Sequence, residues 1–413
     1  MSGHQNRRMT FLDRLLGRPT LDGLIRDATR WLQAQGCTDI QAAPERLEMR
    51  FQRRGGTHTI ALGNLRREYD QAPRAQRQAL LERFLASLLV DDAIPDDYAT
   101  ARPRLMPVVR SAGGMGIARL STSALADVPP DQQAAQHPLV ADLVVALVID
   151  LPDSMAYVQN RHLAQWGVGW DQALADALDN LRGLPEHGGW AEVAPGVWSG
   201  QWGDTYESSR LLLPDLVYRL GIGDPVAMVP FRHALLVTSA GNEAGIRALV
   251  QFADNALHEQ GRWVSFELLR LQGTQWTRFE PAGDTAAQQA QMLVHSRADD
   301  YESQRQVLEG QFEAEKVDLF VASCTLMQKE GGPLTSYSVW TENVDTLLPQ
   351  SESVVLLYRE GDQNWHTRLA WATVQAQFGA LMERTDHVPP RWRVRRFPDR
   401  DALHALAATA SLD

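Results

Sequence analysis

The chain holds 413 residues, 44% hydrophobic and 22% charged, with a formal net charge of −11. That composition is globular, too long for a single hydrophobic core and too acidic as a whole for non-specific binding to phosphate backbones. No apolar run approaches the roughly 18 residues of a membrane span, and the basic start of the chain meets Asp13 and Arg14 where a signal peptide would need an apolar core.

Residues 21–35 place Leu24, Ile25, Ala28, Trp31 and Leu32 at helical spacing ahead of Gly36, which predicts a first helix. Leu47, Met49 and Phe51 then alternate with charged and polar residues as a half-buried strand, and Gly55-Gly56 turns the chain into a second strand at 59–62. Pro73 opens an amphipathic helix carrying Leu81, Phe84, Leu85 and Leu88. Residues 1–95 are therefore expected as an αββα unit.

A second unit is expected over 96–283. It would hold a strand ending in the Pro-Val-Val run ahead of Arg110, a Pro- and Ala-rich loop at 121–138 and a strand at 143–150. A short element at 155–158, a helix at 170–181, Gly-punctuated strands at 190–202 and a helix at 206–220 follow. A hairpin over 226–238 turning near Phe231-Arg232-His233, a helix at 243–259 and strands at 264–271 and 276–279 complete it.

The polar, Ala/Gln-rich helical segment 285–317 reads as a linker into a strand-rich third unit over 284–413. Strands there are expected at 319–325, 336–340, 354–358 and 392–397, with a helix at 371–382. Elements mix without regular βαβ alternation, so the class is α+β, with mixed, largely antiparallel sheets, packed helices and two to three domains. A strand–helix–strand order follows both Pro230 and Pro349 and ends in Phe279-Glu280-Pro281 or Arg396-Phe397-Pro398, which suggests a duplicated element.

Residues 1–95 carry 15 Arg against 11 Asp plus Glu, a local charge of +4, and the only lysines in the chain are Lys316 and Lys329. Nucleic-acid recognition and the codon usage of a GC-rich genome both account for such arginine use, and the overall charge favours the second. Cys37 and Cys324 stand far apart in no metal-like or CxxC spacing. They read as free thiols of a reducing compartment, and a soluble cytoplasmic protein is expected.

Few motifs carry chemistry. Gly113-Gly114-Met115-Gly116 follows a strand, but Arg119 holds the third Rossmann glycine position and no Gly-Lys-Ser/Thr follows. The eleven histidines form no HxH or HExxH pair. No cofactor or metal is expected, and the acidic pairs Asp91-Asp92, Asp96-Asp97 and Asp299-Asp300 read as solvated caps. Trp190, Trp198 and Trp202 cluster in one Gly-rich segment, either as core or as aromatic anchors of a binding face.

Four polar residues stand out. Arg110 ends an apolar Pro-Val-Val run, where a guanidinium either clamps an anion or pairs with a buried carboxylate. Tyr206 and Arg210 would share a helix face, with Asp204 as N-cap and Glu207 complementing the dipole, and Asn180 lies among Ala173, Leu174, Ala177 and Leu181.

Pro107-Val108-Val109-Arg110-Ser111, the helix with Asn180, Asp204-Thr205-Tyr206-Glu207-Ser208-Ser209-Arg210 and Gly223-Asp224-Pro225-Val226-Ala227-Met228-Val229-Pro230 occur in one order. In that order, over roughly 20–283, the chain resembles the YtpQ-like family of bacterial proteins, a domain of unknown function. It departs from that family at 121–138 and after Pro281. The resemblance implies a bacterial, intracellular α+β protein and assigns no reaction. The leading expectation is a non-catalytic module that binds another protein. The alternative is a small-anion binder or enzyme whose pocket uses Arg110, Asn180, Tyr206 and Arg210.

Overall fold

The computed structural model describes residues 20–44, 48–53, 56–62, 65–66, 69–70, 72–88, 94–122, 128–151, 154–185, 188–257, 263–328, 332–360 and 362–410. The basic N-terminal segment, Gly55 of the first expected turn, the Asp91-Asp92 pair, part of the 121–138 loop and Lys329 lie outside the described residues. The chain divides into two compact units, one of residues 1–95 with 150–156 and one of residues 96–149 with 157–413.

In the first unit, helix α1 (Leu21–Ala34) begins where Thr20 Oγ1 accepts the Gly23 N–H at 3.0 Å. It buries Leu24, Ala28 and Leu32 against Met49 and Phe51 of strand β2 (Glu48–Arg53) and Leu81 and Leu85 of helix α2 (Arg74–Leu88). β2 lies between β1 (Thr38–Ala43) and β3 (Gly56–Ala61) in an antiparallel sheet. The unit is thus αβββα. β1 escapes a pattern reading because Thr38-Asp39-Ile40-Gln41 has no apolar alternation and pairs through an irregular register.

The second unit is built around a six-stranded antiparallel sheet, in the order β13 (Gln275–Phe279), β12 (Leu268–Gln272), β10 (Pro225–Met228), β11 (Leu236–Ser239), β9 (Val197–Gln201) and β8 (Gly189–Ala194). Both faces are buried. Ala227, Val229, Leu235 and Val237 pack with Val109, Leu143 and Leu211, whereas Val226, Met228 and Leu236 pack with Ile246, Leu249 and Val250. This two-sided burial explains why these strands read as continuous apolar runs. Val109 and Leu143 belong to β4 (Leu105–Ser111) and β6 (Leu143–Leu151), an antiparallel pair flanked by β5 (Gln136–Val140) and β7 (Ser154–Tyr157).

After β4, residues Ala112–Thr122 form helix α3, not the loop a phosphate cradle would need. Its glycines serve close packing: a Cβ at Gly116 would stand 2.2 Å from the Val388 carbonyl oxygen, and one at Gly113 2.2 Å from Asp300 Oδ2. Helix α4 (Trp170–Arg182) lies on β4, and α5 (Glu243–Leu257) covers the large sheet.

Residues 284–413, expected as a separate unit, belong to the second one. The reason is helix α6 (Gly283–Glu315), whose inner face carries Gln289, Met292, Tyr301, Gln304, Leu308 and Phe312. Gln289 donates to the Phe266 carbonyl (2.9 Å), Gln311 to Leu120 (2.6 Å) and Gln304 to Pro389 (2.8 Å), so amides, set among Met292, Leu308 and Phe312, lace the helix to both sides.

Beyond it stand two four-stranded sheets. One has the order β15 (Thr325–Gln328), β16 (Leu334–Thr341), β18 (Ser353–Glu360) and β19 (Gln363–Ala370), and the other β14 (Phe320–Val321), β17 (Thr346–Pro349), β21 (Arg391–Val394) and β20 (Glu383–Arg384). The expected single strand at 319–325 is thus the separate β14 and the start of β15. Helices α7 (Trp371–Phe378) and α8 (Arg400–Ala410) close the core around Trp340, Leu356 and Trp392. The pairs β16–β18 and β14–β17 are parallel, unlike anything in the six-stranded sheet, so topology does not carry the sequence echo between the two halves. Among the described residues no helix is long and apolar enough to cross a membrane.

Candidate functional site

Asn180 and the segment that carries Arg210 both reach the strand of Arg110, and both fasten it. Asn180, on α4, donates from Nδ2 to the carbonyls of Arg102 (2.6 Å) and Leu105 (2.8 Å). Arg110 is buried and donates from Nε to the Tyr157 hydroxyl (3.0 Å) and from Nη1 to the Val109 carbonyl (2.9 Å). The Val109 N–H in turn donates to Ser209 Oγ at 3.4 Å, which brings the strand of Arg110 beside the segment of Arg210.

Arg210 is buried and forks onto Asp204, with Nη1–Oδ1 at 2.8 Å and Nη2–Oδ2 at 2.5 Å. Its Cζ lies 4.2 Å from the centroid of the Trp202 ring. Burial pushes the Asp204 carboxyl up, but the Arg210 hydrogen bonds and the Tyr206 N–H outweigh it and hold the group below the usual carboxylate range.

The expected helix over 206–220 is absent. Ser208–Leu212 form a 3₁₀ turn and Pro214–Tyr218 a separate short helix, because Pro214 has no N–H to continue an α-helical ladder. Asp204 is accordingly not an N-cap but the partner of Arg210. Gly203 and Thr205 both adopt positive φ, +72° and +66°. For a β-branched residue this conformation costs about 1–3 kcal/mol, and such strain persists where the surroundings over-determine it. Here they do: the Asp204–Arg210 fork closes one side of the loop, and the Gly203 N–H donates to Glu207 Oε1 at 2.8 Å on the other.

That loop forms one wall of a cleft of about 470 Å³, lined by β9 and its extension from Ser199 to Gly203, by Glu207, by Phe231, His233 and Ala234 of the turn after β10, and by Phe252 of α5. The Ser208 N–H donates to the Arg232 carbonyl at 3.3 Å and ties the two loops together. Trp202 is fixed by Arg210 and by Trp190, whose ring meets it edge-on at 5.1 Å. A Cβ at Gly200 would lie 2.4 Å from the indole, so glycine is what lets Trp202 occupy its place. Phe231 and His233 stack at 5.9 Å, and Phe252 is 48% exposed at the rim.

No protein-family model, curated protein or solved structure matches this chain. Glu207 is 5% exposed, and while Oε1 accepts the Gly203 N–H, Oε2 is buried with no hydrogen-bond partner among the described residues. None of Arg110, Asn180, Tyr206 and Arg210 lines the cleft. Among the described residues no group of three His, Cys, Asp or Glu side chains could hold a metal ion.

Sequence reasoning treated Glu207 as a dipole complement and passed over Phe231, His233 and Phe252. The one signal pointing here was the Trp and Gly clustering at 190–202, read as either core or binding face. Trp190 packs edge-on against Trp202, and Trp202 lines the cleft.

Proposed function

We propose that this chain, a relative of the YtpQ-like proteins, is a non-catalytic protein-binding module of the cytoplasm that docks a partner at the cleft between 199–203, 231–234 and Phe252. The observation that carries this reading is the half-exposed Phe252 standing over a concavity walled by Trp202, Phe231 and His233. Rigid aromatic side chains around a small concave site are the usual anchors of protein recognition. Trp202 is held from two sides and by a strained loop, which supplies the pre-organisation that lowers the entropy lost on association.

The alternative, a small-anion site at Arg110, Asn180, Tyr206 and Arg210, is disfavoured because Arg210 already forks onto Asp204 and Asn180 already binds two carbonyls. Selection from a peptide display library tests the proposal. Peptides enriched by the wild-type chain should lose binding to Phe252→Glu at unchanged melting temperature; enrichment of none, or equal binding to both proteins, would contradict it.

A further inference from the structure

The first unit has a cleft of its own, of about 270 Å³, and positive charge distinguishes it. Arg26 of α1 and Arg74 and Arg77 of α2 line it, against a single carboxylate, Asp27. That carboxylate is already engaged: it accepts from the Tyr69 hydroxyl at 3.3 Å and stands 3.6 Å from Arg30, which lies outside the lining. A surplus of positive charge is thus concentrated at one concavity of a chain whose net charge is −11.

The three guanidiniums differ in how they are held. Arg77 is half-buried, donates from Nε to the Ala72 carbonyl at 3.0 Å and lies 5.8 Å from the centre of the Tyr69 ring, so it is anchored. Arg26 is 3.9 Å from Asp27 with its side chain 70% exposed, a pairing worth little. Its Nη2 reaches back to the first turn of α1, 3.7 Å from where a Cβ on Gly23 would stand. Arg74 is exposed and makes no ion pair among the described residues. Two of the three charges are therefore uncommitted.

Guanidiniums from two helices offer forked donors to one concavity from more than one direction. A carboxylate has two coplanar oxygens, which one fork satisfies, whereas a phosphate monoester has three terminal oxygens and a charge of about −1.5 to −2 at neutral pH. A nucleic-acid backbone carries one charge per phosphate, and the acidity of the whole chain opposes it.

We propose that this cleft binds a terminal phosphate group, whose oxygens accept from Arg26, Arg74 and Arg77. The site is separate from the docking cleft and does not depend on it.

Ethyl phosphate, diethyl phosphate and acetate are titrated into the full chain in phosphate-free buffer at about pH 7.5, where the monoester is doubly charged, and followed by saturation-transfer NMR. Wild type is compared with Arg74→Gln, with the double variant Arg26→Gln/Arg74→Gln, and with Arg83→Gln, whose residue is exposed on α2 outside the cleft. Thermal melts serve as the control. Ethyl phosphate should bind wild type about tenfold more tightly than either other probe, and Arg74→Gln should lower that affinity about fivefold at unchanged melting temperature. The double variant should lose the preference, and Arg83→Gln should keep it.

Equal binding of the mono- and diester to wild type, unchanged affinity in Arg74→Gln, or an equal loss in Arg83→Gln would overturn the assignment. N-acetyl-phosphoserine methylamide separates the two sources of such a group: tighter binding than ethyl phosphate assigns it to a phosphorylated protein, and equal binding to a small phosphate ester.

Discussion

The guanidinium of Arg391, wholly shielded from solvent, donates from Nε to Oε1 of Gln304 at 2.5 Å, joining the last strand of the C-terminal sheet to the middle of α6. Its other donors go to the carbonyls of Ala322 (2.8 Å), Leu347 (3.1 Å) and Tyr301 (3.0 Å), and Tyr301 also offers its ring face at 5.2 Å. No carboxylate is among these partners. Burial lowers the guanidinium pKa to about 10, so the charge persists at neutral pH and is held by backbone dipoles.

Replacing Arg391 by Ala takes a donor from four buried acceptors, of which the Leu347 carbonyl keeps the Ala322 N–H, and leaves a cavity where the side chain stood. A loss of about 3–5 kcal/mol is expected, read as a lowered urea midpoint. Gln304→Leu should cost less, and the double variant less than the sum of the two, because both residues belong to one network.

This network also changes what proteolysis should show. The polar, Ala/Gln-rich composition of 285–317 leads one to expect a cleavable linker, but its amides are the seam that holds the second unit together. Early cuts in limited proteolysis should avoid Gly283–Glu315, and a 1–283 fragment should be poorly soluble. Early release of such a fragment in stable form would contradict the packing.

A second buried polar contact predicts a pH dependence. Asp300 of α6, far from being a solvated cap, stands against Gly113, and its carboxyl is pushed up to about 7 by burial, then by Asp142 and Asp299. Asp142 is pushed up to about 6 by burial and by Glu267, against the hydrogen bond from Ser265 and the more distant Arg278. Both groups therefore bind protons more tightly folded than unfolded. Their contribution to stability is fullest below about pH 4, where the unfolded carboxyls are also protonated, and is lost as pH rises through the two folded values.

Carboxylates held low, such as Asp204 and Asp345, act oppositely but below that window. Urea unfolding at pH 5 and pH 8 should differ by roughly 2–4 kcal/mol in favour of pH 5. Asp300→Asn should remove much of the difference by raising stability at pH 8. Equal stability at the two values would refute the buried acidic contact.

Arg210→Ala leaves Asp204 half-buried without its fork and removes the group lying over Trp202. A destabilisation of about 3–5 kcal/mol is expected, visible as a large drop in melting temperature. Arg110→Ala should also destabilise, since Tyr157 loses the buried Nε donor. Near-wild-type melting of both variants would return these arginines to the list of ligand-binding candidates.

The α+β class was legible because apolar runs such as 226–229 and 234–237 are long enough to mark strands, and Leu24, Ala28 and Leu32 mark a helix. What stayed hidden has physical causes. Gln289 and Gln304 are buried through hydrogen bonds rather than apolarity, so a hydrophobicity reading places α6 in solvent. Pro214 splits an otherwise convincing helical spacing. Arg110, Asn180 and Arg210 drew attention as polar residues in apolar settings, and the fold uses each to fasten β4 or the 203–207 loop. The cleft stayed hidden because its walls come from 199–203, Glu207, the 231–234 turn and Phe252 of α5, which only the tertiary fold brings together.

The central claim, that a partner docks in the cleft walled by Trp202, Phe231 and His233 beneath Phe252, is tested most directly by calorimetry of one selected peptide against the wild-type chain and Phe252→Glu. The wild-type chain should bind the peptide at least tenfold more tightly than Phe252→Glu, with the two proteins melting alike. Equal affinity of the two proteins would contradict the claim.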